Sequence, residues 1–150
     1  MSLRARIGPE SPAFTSLPLL LTPRTDDDDP RLARMLARTQ SSFQTGRPVV
    51  LALTASWCPH CIRFKPTVKA ASDEAVGREC CSIACVDVPK LHSTNPRLYA
   101  ALVPLCTGYP TVVCVVRDGA RLQLLATFHG HRNVQDLLLF ASEQTTPHQI

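Results

Sequence analysis

Apolar and polar positions along this chain follow two periods. Leu32, Leu36, Thr39 and Phe43 recur at three- and four-residue steps, the spacing that puts side chains on one face of a helix. Asp29-Pro30 supplies an N-cap residue and a first helical residue, so the helix is expected to start there, and Gly46 to end it. Residues 49–54 are an apolar run of strand length. Cys61, Phe64, Val68, Ala71 and Ala75 return to helical spacing and predict a second helix starting at Cys58 and ending at Gly77. Pro66 falls inside it, removes one backbone donor and predicts a kink. Residues 82–88 read as a strand, and residues 95–102 as a short helix after a loop. Residues 111–116 form another buried strand, Asp118-Gly119 a hairpin turn, and residues 121–128 the returning partner. Beyond Gly130, the spacing of Val134, Leu137, Leu138 and Ala141 predicts a closing amphipathic helix. The order α-β-α-β-α-β-β-α, with no internal repeat, implies an α/β fold: a mixed β-sheet flanked by helices.

Length and composition sharpen this outline. A chain of 150 residues that is 45% hydrophobic suits one domain of ordinary size. Residues 1–30 hold five prolines and no sustained periodicity, so they are expected to form a disordered arm ahead of a domain at residues 31–145 and a tail at 146–150. The net charge of +4 is mild, the basic residues are scattered and aromatics make up 5%, which argues against nucleic acid as a partner. No apolar run reaches the roughly 18 residues of a membrane span, so no membrane association is expected. Leu17-Pro18-Leu19-Leu20-Leu21 is too short and proline-broken for a secretory signal. The expected compartment is therefore the cytoplasm, with organelle targeting by residues 1–30 as the alternative.

The chemistry lies in Trp57-Cys58-Pro59-His60-Cys61. Two thiols separated by two residues can close and reopen a disulfide. At a helix start Cys58 meets free backbone N–H groups and the positive end of the helix dipole, which favour the nucleophilic thiolate. An exposed Cys58 is the expected attacking thiol; Cys61, one turn on and facing the core, is the expected resolving thiol; His60 adds a cation that supports the thiolate. Zinc also uses this spacing, but it would need two further ligands, and no second C-x2-C or H-x3-H occurs. The expectation is therefore no metal and no cofactor. The other cysteines (Cys80, Cys81, Cys85, Cys106 and Cys114) read as free thiols of a reducing compartment. Cys114 is expected to be inert in its strand, Cys80-Cys81 to act as apolar filler, and Cys106 to be a loop thiol with a possible regulatory use. His92, His129 and His131 lack metal spacing, and Asp87 fits a turn or cap.

With these residues in hand the chain resembles the thioredoxin family. Trp57 to Cys61, Pro66, Gly108-Tyr109-Pro110-Thr111, Asp118-Gly119 and Gly130 match that family's landmarks in order, over about residues 43–144. The resemblance implies a thioredoxin-like fold, a cis peptide before Pro110 facing the thiols, and a substrate ledge made by Tyr109 and Pro110 with Trp57 and Pro59 beside it. It also implies cell redox homeostasis as the setting, protein disulfides as substrates, an upstream thiol reductant as a partner, and a monomer. Pro59-His60 between the cysteines is similar to DsbA-type oxidases, and Gly108 to Thr111 to protein disulfide isomerases. One departure matters. The family often buries an acid six residues before the first cysteine, to move the resolving thiol's proton; this chain has Ala52.

Three functions follow, in order of expectation. The first is a thiol–disulfide oxidoreductase in which Cys58 attacks a partner disulfide and Cys61 resolves it. The second is an oxidising-side donor or isomerase of the DsbA or protein disulfide isomerase type. The third is a binding module with little turnover. Arg63, Lys65 and Lys69 read as a solvated helix face that could also bias the partner surface toward acidic patches.

Overall fold

The computed structural model describes residues 30–78 and 80–145. Calls to order or disorder in residues 1–29 and 146–150 lie outside the described residues. Helix α1 (Pro30–Gln44) buries Leu32, Met35, Leu36, Thr39, Gln40 and Phe43 along one stripe. It is tied to the next helix where the Arg38 guanidinium donates to the Ser72 hydroxyl at 2.9 Å. Strand β1 (Val49–Thr54) is buried at every position, because it lies between two other strands and under helices on both faces.

Helix α2 (Pro59–Arg78) turns Cys61, Phe64, Val68, Ala71, Ser72 and Ala75 inward. It continues through Pro66 as one helix and past Gly77 to Arg78, one residue beyond the expected stop. Strand β2 (Ser82–Asp87) runs parallel to β1, pairing Ala52 with Cys85 and Thr54 with Asp87.

The expected loop after β2 is instead helix α3 (Val88–Thr94), followed directly by α4 (Pro96–Leu102) and a 3-10 turn (Val103–Leu105). Asp87 caps α3 by accepting from the Lys90 N–H at 3.3 Å, and Asn95 caps α4 by accepting from the Leu98 N–H at 3.2 Å. Each cap is followed by a proline at the first turn, and Pro30 likewise opens α1. Asp87 is thus a cap residue, as expected.

Strand β3 (Thr111–Asp118) runs antiparallel to β1, and β4 (Arg121–Thr127) antiparallel to β3, in the sheet order β2-β1-β3-β4. The strand reaches Asp118, so the hairpin tip is Gly119-Ala120, with Gly119 at φ 66°. A bulge between Cys114 and Val115 leaves Leu125 without a partner and both Leu124 and Leu125 in solvent. Helix α5 (Val134–Thr145) packs Leu137, Leu138, Phe140 and Ala141 onto the core. The mixed sheet, flanked among the described residues by five α-helices, is the expected α/β architecture.

Candidate active site

Thiol chemistry sits where β1 hands over to α2. Strand β1 delivers Ala55 into a tight turn in which the Cys58 N–H donates to the Ala55 carbonyl at 3.0 Å, and the Ile62 N–H then donates to the Cys58 carbonyl at 3.0 Å. Cys58 therefore stands at the mouth of α2, with the first helical N–H groups around its sulfur.

Both thiols are covered. Cys58 is 6% exposed and Cys61 4%, forming with Ala55 a small cluster against which Tyr109 packs. The expected exposed sulfur at Cys58 is corrected here: the segment before Pro110 lies over it. The Cys58 thiol donates to the Tyr109 carbonyl at 3.6 Å, and the Tyr109–Pro110 peptide is cis. Gly108 precedes them at φ +143°, a conformation that side chains with a Cβ rarely adopt. The Trp57 indole, 68% exposed, meets the Tyr109 ring edge-on at 5.8 Å between centroids. Pro59 is the exposed first residue of α2. The structure thus brings Trp57, Cys58, Pro59, Cys61, Tyr109 and Pro110 to one end of the sheet.

The two thiols differ in acidity. The Cys61 backbone N–H holds the Cys58 thiol below its ordinary value, helped by the Cys61 S–H, the His60 backbone N–H and the charge of Arg132, and opposed by burial. Burial pushes the Cys61 thiol up, although the Ala55 N–H reaches its sulfur at 3.5 Å. His60 acts on Cys58 through its backbone; its imidazole Nδ1 lies 2.9 Å from the Arg63 guanidinium. The side-chain cation among the causes is Arg132, which sequence reasoning passed over because seventy-odd residues separate it from the thiols.

The position six residues before Cys58 is apolar and buried. Ala52 is 1% exposed and lies between Cys85 and Val112 in the sheet register. Burial raises the Cys85 thiol to about 12, making it a poor proton acceptor at neutral pH.

None of the remaining cysteines is in a disulfide among the described residues. Cys114 is held protonated by a hydrogen bond with the Cys81 thiol and by burial. Cys80 lies 3.1 Å from the Ser142 hydroxyl. Cys106 donates to the Leu102 carbonyl at 3.5 Å and meets the Tyr109 phenol; burial raises its pKa. Burial likewise lifts the Tyr109 phenol to about 12. His92, His129 and His131 are exposed. Among the described residues no three His, Cys, Asp or Glu side chains converge as a metal site would require, and no helix is long and apolar enough to cross a membrane.

Comparison with known proteins agrees with this geometry. The thioredoxin family model matches residues 37–143. No curated protein sequence matches the chain. Among solved structures, zinc-bound human ERp44 superposes with a TM-score of 0.54 at 19% identity, over 71% of this chain and 28% of ERp44. The first thioredoxin domain of mouse protein disulfide-isomerase A4 gives 0.51 at 19% identity, over 69% of this chain and 66% of that domain structure. The J-Trx1 fragment of ERdj5 gives 0.54 at 20% identity, over 79% and 51% of the two chains. This chain thus spans under a third of ERp44's length, and these likenesses speak for the fold. The family match and the paired thiols at the head of α2 agree: the chain belongs to the thioredoxin family.

Proposed function

We propose that the protein reduces disulfides in other proteins, with Cys58 as nucleophile and Cys61 as resolving thiol. The observation that carries this is the split acidity of two adjacent thiols at one helix mouth, Cys58 lowered and Cys61 raised. In the first step the Cys58 thiolate attacks one sulfur of the partner's disulfide, forming a mixed disulfide and releasing the other sulfur as a thiolate. In the second, Cys61 gives up its proton and attacks the Cys58 sulfur. The partner leaves with both cysteines reduced and the Cys58–Cys61 pair oxidised by two electrons. An upstream dithiol restores the pair.

Tyr109 and Pro110 form the ledge along which the partner chain lies, with Trp57 and Pro59 as its rim and His60 contributing its backbone N–H to the thiolate. The protein acts as a monomer. Five further cysteines held as free thiols fit a reducing compartment, and cytoplasmic work is part of this reading. Residues 31–145 form the working domain.

A second reading, disulfide donation or isomerisation, draws on the same stabilised Cys58. A thiol of low pKa leaves readily and favours the reduced state of the pair, which makes the oxidised form a stronger oxidant. The redox potential of the Cys58–Cys61 couple decides between them. A value near about −270 mV supports reduction, and one between about −120 and −180 mV supports donation or isomerisation.

A further inference from the structure

Beside Pro110 the surface opens into a cleft of about 160 Å³, walled on one side by Thr107, Pro110 and Thr111 and on the other by Phe128, His129 and Arg132. The second wall is held in shape. Gly130 lets the chain pass so close to Phe128 that an added Cβ would lie 2.8 Å from its ring. Asp136 accepts from the His131 N–H at 2.9 Å, and Asn133 from the Asp136 N–H at 2.7 Å. This bracing leaves Arg132 exposed at the cleft's edge, with no carboxylate in salt-bridge contact among the described residues.

Among the described residues the ionisable side chains exposed around the mouth are arginines and histidines. His60 and Arg63 stand exposed on the first turn of α2, with His129, His131 and Arg132 across the cleft. The carboxylates on neighbouring elements, Asp87 and Asp136, already accept from backbone N–H groups. Arg132 lines the same cleft as Pro110, whose cis peptide begins at the residue that offers its carbonyl to the Cys58 thiol, and its charge favours the ionised form of both thiols.

We infer that Arg132 is a specificity-determining residue of this site: it selects partner segments that carry an acidic side chain beside the cysteine to be reduced. The inference rests on the disulfide-exchange reading and adds the class of substrate. An extended segment seated along Tyr109 and Pro110 enters the cleft next to Arg132, where a carboxylate meets an exposed guanidinium that has no carboxylate in salt-bridge contact among the described residues. Steering by such a cation raises the rate of encounter, and salt weakens it.

Two peptides bridged to the same small thiol and differing only in Glu or Lys on either side of the cysteine test this against the reduced full-length protein. The Glu peptide is expected to react about two- to fivefold faster, the range of a single exposed ion pair, with the advantage shrinking as salt rises. R132Q should abolish the preference and R132E reverse it. Equal rates for the two peptides, or a Glu preference kept by both variants, overturn the inference. A neutral aromatic disulfide separates the two levels. If the wild type reacts with it but does not discriminate between the peptides, only the role of Arg132 falls. If the wild type reacts with none of the three, disulfide exchange falls as well.

Discussion

The Cys58 thiol donates its proton toward the carbonyl of Tyr109, 3.6 Å away, across a cis peptide to Pro110. When Cys58 ionises, the donor is gone and the sulfur turns acceptor, drawing on the N–H groups of Cys61 and His60 instead. The Tyr109 carbonyl then loses its partner and becomes available to an incoming backbone. On the proposed reading, activation of the nucleophile and opening of the ledge are one event.

Cys58→Ala should abolish reduction of a protein disulfide such as insulin. Cys61→Ser should leave the first attack intact and accumulate a covalent complex with the partner. Non-reducing electrophoresis shows the adduct, and its absence with an active Cys58 would contradict the assigned roles.

The Cys58 thiolate should be detectable below the ordinary thiol range by ultraviolet absorbance against pH. Cys61→Ala removes the S–H contact but keeps the backbone N–H, which is the larger stabilising influence. Its titration midpoint should therefore rise yet stay below that of a free cysteine; a full return to the free value would mean that the side chain, not the helix mouth, dominates.

Ala52→Asp should place a carboxyl at the buried, apolar position six residues before Cys58. Left without a partner it costs about 1–3 kcal/mol of stability, read as a lower urea midpoint. The same burial raises the carboxyl's pKa toward neutrality, where it can take the Cys61 proton. Breakdown of the mixed disulfide should accelerate in the same variant that unfolds more easily, and stopped-flow fluorescence of Trp57 follows it.

Alkaline pH should unfold the protein through its buried thiols. The Cys85 thiol is raised from 9.0 to about 12, so above pH 9 the unfolded chain releases a proton that the folded chain retains. The stability this group confers is thus full below about pH 9 and is lost as pH rises toward 12. The loss is about 1.4 kcal/mol per pH unit. Cys85→Ala should flatten the slope of urea stability against pH by that amount between pH 9 and 11; an unchanged slope would remove Cys85 as the cause.

Asp87→Ala should lower stability by about 0.5–2 kcal/mol through loss of the α3 cap, with disulfide reduction kept near the parent rate. A loss of reduction at full stability would instead make Asp87 part of the chemistry.

Much of this was readable in the chain. The stripe from Leu32 to Phe43, the run from Val49 to Thr54 and the inward face of α2 are set by periodicity alone, since each buries the residues its spacing selects. Helix α3 escaped because Val88 and Leu91 are the only buried residues in its single apolar step, though Asp87 and Pro89 carried a capping signal; α4, equally short, was legible at residues 95–102. The cover over Cys58 and the charge of Arg132 escaped for another reason. Both come from segments far along the chain that meet the thiols only once the sheet has formed.

The bulge at Leu125 in β4 has a consequence of its own at the far edge of the sheet. It turns Leu124 and Leu125 outward together on a terminal strand that carries one charge, at Arg121, and that no further strand among the described residues covers. An edge of that kind is where a second molecule would add its own strand, so a charge at Leu124 or Leu125 should raise the concentration at which the solution stays clear and leave the thiols as they are.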